Sequence, residues 1–499
     1  MSAVATVSAE RTNLDYAFAK THGMVLLSAE APWRVGLREG ADVLALLELR
    51  RILGPGIEVI DLSREAFDEA LSQQYAVTSE AARSIASGFD AETSLDALSE
   101  EAGATADLLD SQDDAPVIRL INGLISEAIT QGASDIHIEP YETGVSVRLR
   151  IDGVMRDLLQ APARAKSRLV SRIKVMARLD IAEKRLPQDG RMSLSLGGRS
   201  VDVRVSTLPS RHGERVVMRI LDKDQGLRSL ESLGMPPRIL ERFRSVLEAP
   251  NGIVLVTGPT GSGKTTTLYA ALNMLNDRTR NILTVEDPVE YAVDGIGQTQ
   301  VNPRIGLTFA AGLRAILRQD PNVVMVGEIR DAETAQIAVQ ASLTGHLVFS
   351  TVHTNGAVAA ITRLRDMGVE PYLLASTVRL ILAQRLVRRL CDACKQTAVL
   401  GAHETALFDA IGVDPKAFEP RGCPSCGGSG YVGRIGLYES VVLDDEIRRM
   451  IHRTASEQDI AEYAFRDSDP LLASGLKCAA AGVTSLSDVL RSVGNGQTD

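Results

Sequence analysis

Long apolar runs and cysteines are both scarce in this chain of 499 residues. No run of apolar residues approaches the roughly 18 that a membrane-spanning helix requires. The first residues also lack the basic segment and apolar core of a secretory signal. Four of the five cysteines form two CxxC pairs, which in a reducing compartment hold a metal more often than a disulfide. These absences predict a cytoplasmic protein.

Basic residues are missing from one stretch. No Lys or Arg lies between residues 84 and 118, whereas Asp90–Asp114 contains nine acidic residues. Residues 1–110 carry a charge of −11 and the whole chain −10, so the remainder is nearly neutral. Such a segment buries too little apolar surface to offset the entropy of ordering, which predicts a flexible linker over residues 86–114. An acidic helix over Asp96–Leu109 is the alternative.

Two small α/β domains are predicted on either side of this linker. In the first, residues 1–85, the strand-like run Ile57–Ile60 precedes a helix with Ser63 as its N-cap. The second, residues 115–233, begins with an amphipathic helix and continues with strands in which apolar and polar residues alternate. These strands are predicted at Asp135–Glu139, Val145–Ile151 and Arg199–Ser206.

From residue 234 the pattern changes to short, almost uninterrupted apolar runs separated by helical segments. Strands that are buried on both faces have this composition, so we expect a parallel sheet covered by helices. The predicted fold class is therefore α/β multidomain, with a parallel-sheet core after two α/β domains. The four runs are Gly252–Gly258, Asn281–Asp287, Asn322–Glu328 and Gly345–Thr351.

The first of these runs leads into a glycine-rich loop that opens a helix. Its sequence, GPTGSGKT, lets backbone N–H groups surround phosphate oxygens, and the helix N-terminus adds partial positive charge. Lys264 would reach the β- and γ-phosphates, and the Thr265 hydroxyl would bind Mg²⁺. A glycine-rich turn without a ligand is the alternative, which the strand-loop-helix context disfavours. The candidate nucleotide-binding residues are Gly258, Pro259, Thr260, Gly261, Ser262, Gly263, Lys264, Thr265 and Thr266.

Polar residues follow the other predicted strands. Glu290 comes after one, and Glu328 after another, where Gly327 occupies the usual position of the Walker B Asp. Ligands bind at the carboxyl ends of strands in a parallel sheet, so these acids are candidates to hold metal and orient water. His353 ends the next strand and is a candidate phosphate contact. His346 lies seven residues earlier, which on a regular strand is the opposite face.

Several segments carry a resemblance to a known family. The phosphate loop, ILTVEDPVE, VGEIRD and TGHLVFSTVHTN occur in this order along the chain. Together they resemble the secretion ATPases, a superfamily of hexameric RecA-like motors of type II secretion, type IV pili and related systems. ASDIHIEP, RLPQDGR and HGERVVMRIL resemble the N2 domain of that group, so the likeness extends over residues 115–440.

The resemblance implies a role for each matching residue. It implies a RecA-like core in which Glu290 orients the attacking water, Glu328 lies near the metal and His353 senses the γ-phosphate. The division of labour between the two glutamates stays open, because the Walker B Asp is replaced. The resemblance also implies arginines that stabilise charge at the site or form subunit contacts, and a neighbouring subunit can supply them. The matching arginines are Arg204, Arg219, Arg314 and Arg318.

The paired cysteines suit a structural zinc site. Four thiolates make a closed tetrahedral site, although the 28 residues between the two pairs exceed the usual zinc-ribbon spacing. The resemblance adds that type II secretion and pilus assembly ATPases carry such a module here. A redox role is the alternative. The predicted zinc ligands are Cys391, Cys394, Cys423 and Cys426.

Two further patterns carry less weight. Asp135, His137 and Glu139 alternate along one strand and imitate a metal triad, but no convergent context accompanies them and the resemblance gives the strand a structural part. The basic run Arg385–Arg389 has no interleaved aromatic residues, so nucleic-acid binding is not expected. We interpret that run as the end of an amphipathic helix or a subunit contact.

These features lead to one main hypothesis, a cytoplasmic homohexameric ATPase that drives pseudopilus assembly and export in type II secretion with ATP, Mg²⁺ and Zn²⁺. Tyr16–Leu27 resembles the N1 domain that docks on the cytoplasmic domain of an inner-membrane platform subunit, so recruitment to the bacterial inner membrane is expected to be indirect. The alternatives are a type IV pilus assembly ATPase and a nucleotide-gated scaffold with little hydrolysis. The predicted domains are 1–85, 86–114, 115–233, 234–390 (the ATPase core), 391–437 (the zinc module) and 438–499 (C-terminal helices).

Overall fold

The computed structural model describes residues 22–28, 33–53, 56–63, 116–196, 199–222 and 229–494, with a few isolated positions among the first 70. The chain divides after residue 223 into two compact units, whereas the sequence predicted a boundary after residue 233. The linker expected over residues 86–114 lies outside the described residues. Among the described helices, none combines the length and the apolar character that a membrane crossing requires.

The beginning of the first unit contains a small three-stranded sheet and a helix. β1 pairs antiparallel with β2, and β2 pairs parallel with β3. Met24 and Leu49 are fully buried in the apolar cluster beneath this sheet. The Ser63 hydroxyl accepts a hydrogen bond from the backbone N–H of Ala66 at 3.2 Å, as predicted for an N-cap. The elements are β1 (Met24–Leu26), β2 (Arg34–Arg38), α1 (Val43–Leu53) and β3 (Glu58–Leu62).

A six-stranded antiparallel sheet forms the rest of the first unit, in the order β6-β5-β4-β9-β8-β7. Alternation gives the sheet one apolar face, so that Val203 and Val205 are fully buried with α2 and α3 while Arg204 lies on the other face. The elements are α2 (Pro116–Thr130), β4 (Ala133–Pro140), β5 (Gly144–Ile151), β6 (Val154–Pro162), α3 (Ala165–Met176), β7 (Gln188–Leu196), β8 (Arg199–Ser210) and β9 (Gly213–Asp222).

The polar face of this sheet is a lattice of ion pairs. Asp135 pairs with Arg219 at 2.9 Å, and Glu139 pairs with Arg148 at 2.6 Å. His137 lies between them, and burial followed by nearby arginines lowers its pKa. Both carboxylates are thus engaged by guanidinium groups, and this trio has a structural part rather than that of a metal triad.

The second unit is built on a seven-stranded sheet in the order β12-β11-β13-β14-β10-β15-β18. The first six strands are parallel, and β18 is antiparallel to β15. The strands are β10 (Gly252–Thr257), β11 (Ile282–Glu286), β12 (Gly297–Gln300), β13 (Val323–Val326), β14 (Leu347–Val352), β15 (Val378–Leu390), the short pair β16 (Gln396–Thr397) and β17 (Phe418–Glu419), and β18 (Tyr431–Val442).

Helices cover both faces of this sheet, as the apolar runs predicted. Alternate residues of β10 enter two different cores, with Ile253 and Leu255 in one and Val254 and Val256 in the other. The helices are α4 (Pro237–Leu247), α5 (Lys264–Leu275), α6 (Phe309–Ile316), α7 (Ala332–Leu343), α8 (Ala357–Asp366), α9 (Pro371–Thr377), α10 (Ala402–Asp409), α11 (Asp445–His452), α12 (Glu457–Ala464), α13 (Leu471–Ala480) and α14 (Leu486–Val493).

The last two strands of the sheet differ from the expectations. The basic run Arg385–Arg389 lies within β15 and is not the end of a helix. β18 pairs with β15 along its length, for example Ala383 with Glu439, so the boundary expected after residue 437 falls inside a strand of the ATPase sheet. The region from residue 391 to 430 is therefore an insertion between two neighbouring strands.

One buried ion pair stabilises the first unit between α3 and the start of β9. The Lys174 ammonium pairs with the Glu214 carboxylate, and the two side chains are 1% and 7% exposed. The same ammonium donates a hydrogen bond to the Glu183 carbonyl at 2.7 Å. Because two charges are removed from water here, each depends on the other for compensation.

Replacing Glu214 by Gln should therefore destabilise the first unit by about 3–5 kcal/mol, since the buried Lys174 loses its counter-charge. Native-state hydrogen exchange of backbone amides in α3 and β9 measures this loss. The matched control is the double variant Lys174→Met/Glu214→Leu, which removes both charges and should recover most of the stability. Exchange in the single variant that equals wild type would contradict the expectation.

Candidate functional site

The phosphate loop connects β10 to α5, as predicted. Gly258, Gly261 and Gly263 have φ angles of +148°, +79° and +87°, a region that L-residues with side chains rarely adopt. At the first of these, a Cβ atom would lie 2.4 Å from the carbonyl oxygen of Gln384 on β15. Glycine is therefore required both by the backbone conformation and by the close approach of the neighbouring strand.

Lys264 is the first residue of α5 and folds back over the loop. Its ammonium donates hydrogen bonds to the carbonyls of Gly258 at 2.8 Å and Pro259 at 3.0 Å. Burial lowers the pKa of this lysine to about 8, while the nearby Glu328 carboxylate acts in the opposite direction. The hydroxyl oxygen of Ser262 is buried and has no hydrogen-bond partner among the described residues. A bound phosphate would favour the charged lysine and could accept from this hydroxyl.

The ends of the neighbouring strands bring polar groups to the same edge of the sheet. The Thr257 hydroxyl, at the end of β10, lies 2.7 Å from the Thr354 hydroxyl, just after β14. His353 Nε2 lies 3.3 Å from a carboxylate oxygen of Glu328, which follows β13 and also pairs with Arg330. The structure thus brings Lys264, Glu328 and His353 together, as the strand-end pattern predicted.

A buried carboxylate forms a network that the sequence did not reveal. Glu286, the last residue of β11, is 3% exposed, and burial raises its pKa. Its carboxylate accepts hydrogen bonds from the hydroxyls of Tyr269 and Thr284 and from the Gln298 amide at 3.2 Å. The sequence marked Glu286 only as a strand-end acid, because its partners come from α5 and β12, far along the chain.

This network holds the loop that carries Glu290. The Gln298 side chain donates to the carbonyl of Tyr291 at 3.1 Å and accepts from the backbone N–H of Val293 at 2.8 Å. The rings of Tyr269 and Tyr291 meet edge to face with centroids 4.5 Å apart. Glu290 itself is half-buried within this braced loop.

The four arginines singled out by the resemblance are not part of this cluster. Arg314 and Arg318 are exposed on the second unit, the first paired with Glu333 and the second donating to the carbonyl of residue 314 at 2.8 Å. In the first unit, Arg204 lies 3.9 Å from Asp189, and Arg219 pairs with Asp135. Their proposed contacts with nucleotide or with neighbouring subunits stay predictions.

The four predicted zinc ligands form one cluster. The Sγ atoms of Cys391 and Cys423 are 3.8 Å apart, those of Cys394 and Cys426 are 3.9 Å apart, and all four lie within 4.8 Å of one another. Tetrahedral Zn²⁺ with Zn–S bonds near 2.3 Å places sulfurs about 3.8 Å apart. In the described part of the chain, no other group of three or more such side chains is gathered for a metal.

Backbone amides prepare this cluster for thiolates. The N–H groups of Cys423 and Gly430 donate to the Cys426 sulfur at 3.2 and 3.1 Å. Burial raises the pKa of that thiol, but these N–H bonds and the neighbouring cysteines outweigh it and lower the pKa to about 6. The donor set therefore fits Zn²⁺, and the ion would join the end of β15 to the turn before β18.

The family comparisons agree with this geometry. Residues 110–491 match the family described as type II/IV secretion system protein. The chain belongs to that family. Residues 13–75 match the N1 domain of GSPII protein E, which overlaps the N-terminal domain expected over residues 1–85.

Curated relatives match almost the whole chain. The type II secretion system protein E of Pseudomonas aeruginosa is 52% identical over 492 residues, covering 98% of this chain and 97% of the relative. The type II secretion system ATPase E of Vibrio cholerae is 54% identical over 449 residues, covering 90% and 89%. The resemblance to the secretion ATPases is confirmed, and the family and the phosphate loop together make the chain an ATP-hydrolysing secretion ATPase.

Solved structures agree on the fold. The pilus retraction motor PilT with bound ADP aligns with a TM-score of 0.53 and 27% identity, covering 74% of this chain and 95% of that one. The ATPase DotB of Legionella pneumophila aligns with a TM-score of 0.56 at 22% identity, covering 74% and 94%. The RecA-like α/β fold class predicted from the sequence is therefore confirmed.

Replacing Cys423 by Ala should reduce zinc from about one ion per chain, the stoichiometry of a closed Cys₄ site, to none, and should lower the thermal stability of the inserted module. Elemental analysis of purified protein gives the metal content, and hydrogen exchange over residues 391–430 gives the local stability. Cys478→Ser is the matched control, since this fifth cysteine lies outside the cluster. Wild-type protein without zinc would contradict the assignment.

Proposed function

We propose that this secretion ATPase is a homohexameric motor that hydrolyses ATP to drive pseudopilus assembly and protein export in a type II secretion system. The observation that carries the proposal is the convergence of Lys264, Glu328 and His353 at one edge of the parallel sheet. That edge is where parallel α/β sheets bind ligands. The names of the relatives, type II secretion proteins from several bacteria, support the biological setting.

The residues divide the chemistry among them. The loop amides and Lys264 bind the β- and γ-phosphates, and the Thr265 hydroxyl binds Mg²⁺, which neutralises charge that develops on the phosphates. Glu290 accepts the proton of the attacking water, and its braced loop fixes the direction of its carboxylate. Glu328 and His353, paired at 3.3 Å, respond to the γ-phosphate.

Arginines from neighbouring subunits would complete each site. Arg204 and Arg219 belong to the first unit and Arg314 and Arg318 to the second, and all four lie on partly exposed surfaces where another subunit can be contacted. An arginine at the γ-phosphate stabilises transition-state charge, which makes hydrolysis dependent on assembly. This dependence is the reason for proposing a hexamer as the active form.

Two other candidate functions predict different behaviour. A type IV pilus assembly ATPase would share the zinc cluster and the core, but the match of residues 13–75 to the N1 domain of GSPII protein E favours secretion. A nucleotide-gated scaffold is motivated by Gly327 in place of the Walker B Asp. The pairing of Glu328 with His353 beside the loop favours hydrolysis, since both groups are placed for chemistry and not only for binding.

The N-terminal domain provides the connection to the membrane in this proposal. The segment that matches the N1 domain would bind the cytoplasmic domain of an inner-membrane platform subunit. Much of the −11 charge of residues 1–110 lies beside or within this domain, which favours a basic partner surface. Membrane association is then indirect and takes place on the cytoplasmic side.

Hydrolysis is tested on enforced hexamers. Lys264→Ala should abolish nucleotide binding and turnover, and Glu290→Gln should keep ATP binding but lower kcat by about 100-fold or more, the contribution of a positioned general base. Glu241→Gln on α4 is the control, because it removes an exposed carboxylate far along the chain from the strand ends. Hexamers that bind ATP yet turn over no faster than the lysine variant would favour the scaffold.

Recruitment is tested by removing residues 1–85. The truncated protein should no longer sediment with inner-membrane vesicles that contain the platform subunit, while its zinc content and nucleotide binding stay at wild-type levels. Binding of the full chain should weaken as salt rises from about 0.05 to about 0.5 M, since exposed charges are screened. Vesicles without the platform subunit are the control, and recruitment of the truncated protein would refute the docking role.

A further inference from the structure

Arg385 lies beside the phosphate loop although the sequence gave it no role in hydrolysis. It belongs to β15, which pairs with the strand that leads into the loop, and it is 6% exposed. A Cβ atom built on Gly258 would lie 3.2 Å from one of its guanidinium nitrogens. Arg385 is also close enough to Lys264 to lower the pKa of that lysine, after the larger effect of burial.

The same guanidinium holds the loop after β14. One nitrogen donates to the carbonyl of Asn355 at 2.8 Å and lies 3.4 Å from the side-chain oxygen of that residue. The other donates to the carbonyl of Gln384 at 3.2 Å, and that oxygen is the one against which Gly258 is packed. Asn355 is two residues from His353, so one side chain connects the start of the phosphate loop with the loop that carries the histidine.

The preceding residue extends the contact to the helix of the phosphate loop. Gln384 is 2% exposed, and its side-chain oxygen accepts a hydrogen bond from the Thr267 hydroxyl of α5 at 2.7 Å. Consecutive residues of β15 thus contact the beginning and the end of the phosphate-binding turn. A shift of β15 would displace the loop at both ends.

A buried carboxylate on β18 provides the counter-charge. Glu439 is 6% exposed and lies close enough to Arg385 to favour its charged form. One carboxylate oxygen accepts the backbone N–H of Ala357 at 2.7 Å, and the other accepts that of Leu471 at 3.0 Å. These N–H groups are the first of α8 and α13, so a single carboxylate satisfies the starts of two helices.

The second of these helices reaches the insertion that carries the cysteines. Leu476 and Ala479 of α13 pack in one apolar cluster with Phe408 and Ala417 of the insertion. The Gly482 carbonyl, just after α13, accepts a hydrogen bond from Lys395 at 3.0 Å. A continuous path of direct contacts therefore leads from the phosphate loop through β15 and β18 to the zinc cluster region.

We propose that Arg385 is a positioning residue for ATP hydrolysis, which holds the phosphate loop and the His353 loop in register and connects both, through Glu439, to α13 and the cysteine insertion. The proposal rests on the proposed ATPase function. The side chain acts through the backbone of both loops, and its part is to keep Lys264 and His353 at the correct separation. Arginine suits this part because its planar fork reaches two acceptors in fixed directions, which a lysine ammonium does not.

The first test is steady-state hydrolysis by Arg385→Lys and Arg385→Gln hexamers. Both should lose on the order of 100-fold in kcat, the effect of misplacing catalytic groups by about 1 Å, with KM for ATP changed by less than about threefold. Arg379→Gln is the matched control, since it removes an arginine of the same strand whose contact is with Asn251, away from the loop. It should stay within about twofold of wild type. Thermal unfolding of each variant reports whether the fold is retained.

The second test does not depend on hydrolysis. Hydrogen exchange of the full chain without nucleotide should show faster exchange over residues 258–263 and 353–357 in Arg385→Lys than in Arg379→Gln. Glu439→Gln should accelerate exchange at the first turns of α8 and α13, and should lower kcat no further when combined with Arg385→Lys, because both changes interrupt one path.

Three results would overturn the proposal. They are a folded Arg385→Lys variant with wild-type kcat, equal exchange of the two loops in the Arg385 and Arg379 variants, and additive losses of kcat in the double variant. If Arg385→Gln does not fold, the Lys variant decides. A wild-type chain that does not hydrolyse ATP would refute the proposed function, whereas the exchange results would still judge the positioning role.

Discussion

The site depends on one constraint, the register of the parallel strands whose carboxyl ends meet at one edge. Both faces of β10 are apolar, so sliding it by one residue would still bury apolar side chains and would not be penalised by polarity. Polar contacts at the strand ends supply the missing specificity. The Thr257 hydroxyl accepts the backbone N–H of Thr354 at 3.0 Å, and the Ser350 hydroxyl donates to the Val326 carbonyl at 2.8 Å. These bonds fix how far each strand extends, and with it the depth of Lys264, Glu328 and His353.

The sequence predicted the parts of this arrangement that are local. Each apolar run became a strand within two residues of its expected bounds, because burial on both faces leaves a clear local pattern. The basic run Arg385–Arg389 was interpreted wrongly, since a short mixture of Leu, Val and Arg suits a helix face and a sheet strand equally. The Glu286 network could not be predicted, because Tyr269 and Gln298 meet it only after three elements assemble. The 28-residue spacer between the cysteine pairs likewise concealed that α10 and the β16–β17 pair return the chain to its starting point.

The ion pairs of Arg204 and Arg219 explain how arginines can serve both a resting sheet and a nucleotide. Each pairs with an Asp while its own side chain stays 36% and 55% exposed. Partly exposed pairs contribute only about 0–1 kcal/mol, so exchanging the carboxylate for a phosphate costs little. The Lys174–Glu214 pair is buried at both ends and cannot be exchanged in this way. The first unit therefore separates charges that hold its fold from charges that are available to a partner.

The second unit makes the same separation by position within its sheet. β10 and β13 are apolar over almost their whole length, and the buried charges Glu286, Arg385 and Glu439 lie near the level at which the parallel strands end, where backbone N–H groups, hydroxyls or carbonyls satisfy them. Apolar residues of the same volume would stabilise the fold as well or better, so stability does not account for these charges. What they provide is direction, because a hydrogen-bonded charge fixes the orientation of its partners while an apolar contact leaves them free to slide. Fixed orientation at the strand ends is what phosphoryl transfer requires, since its catalysis consists mainly of positioning and charge stabilisation.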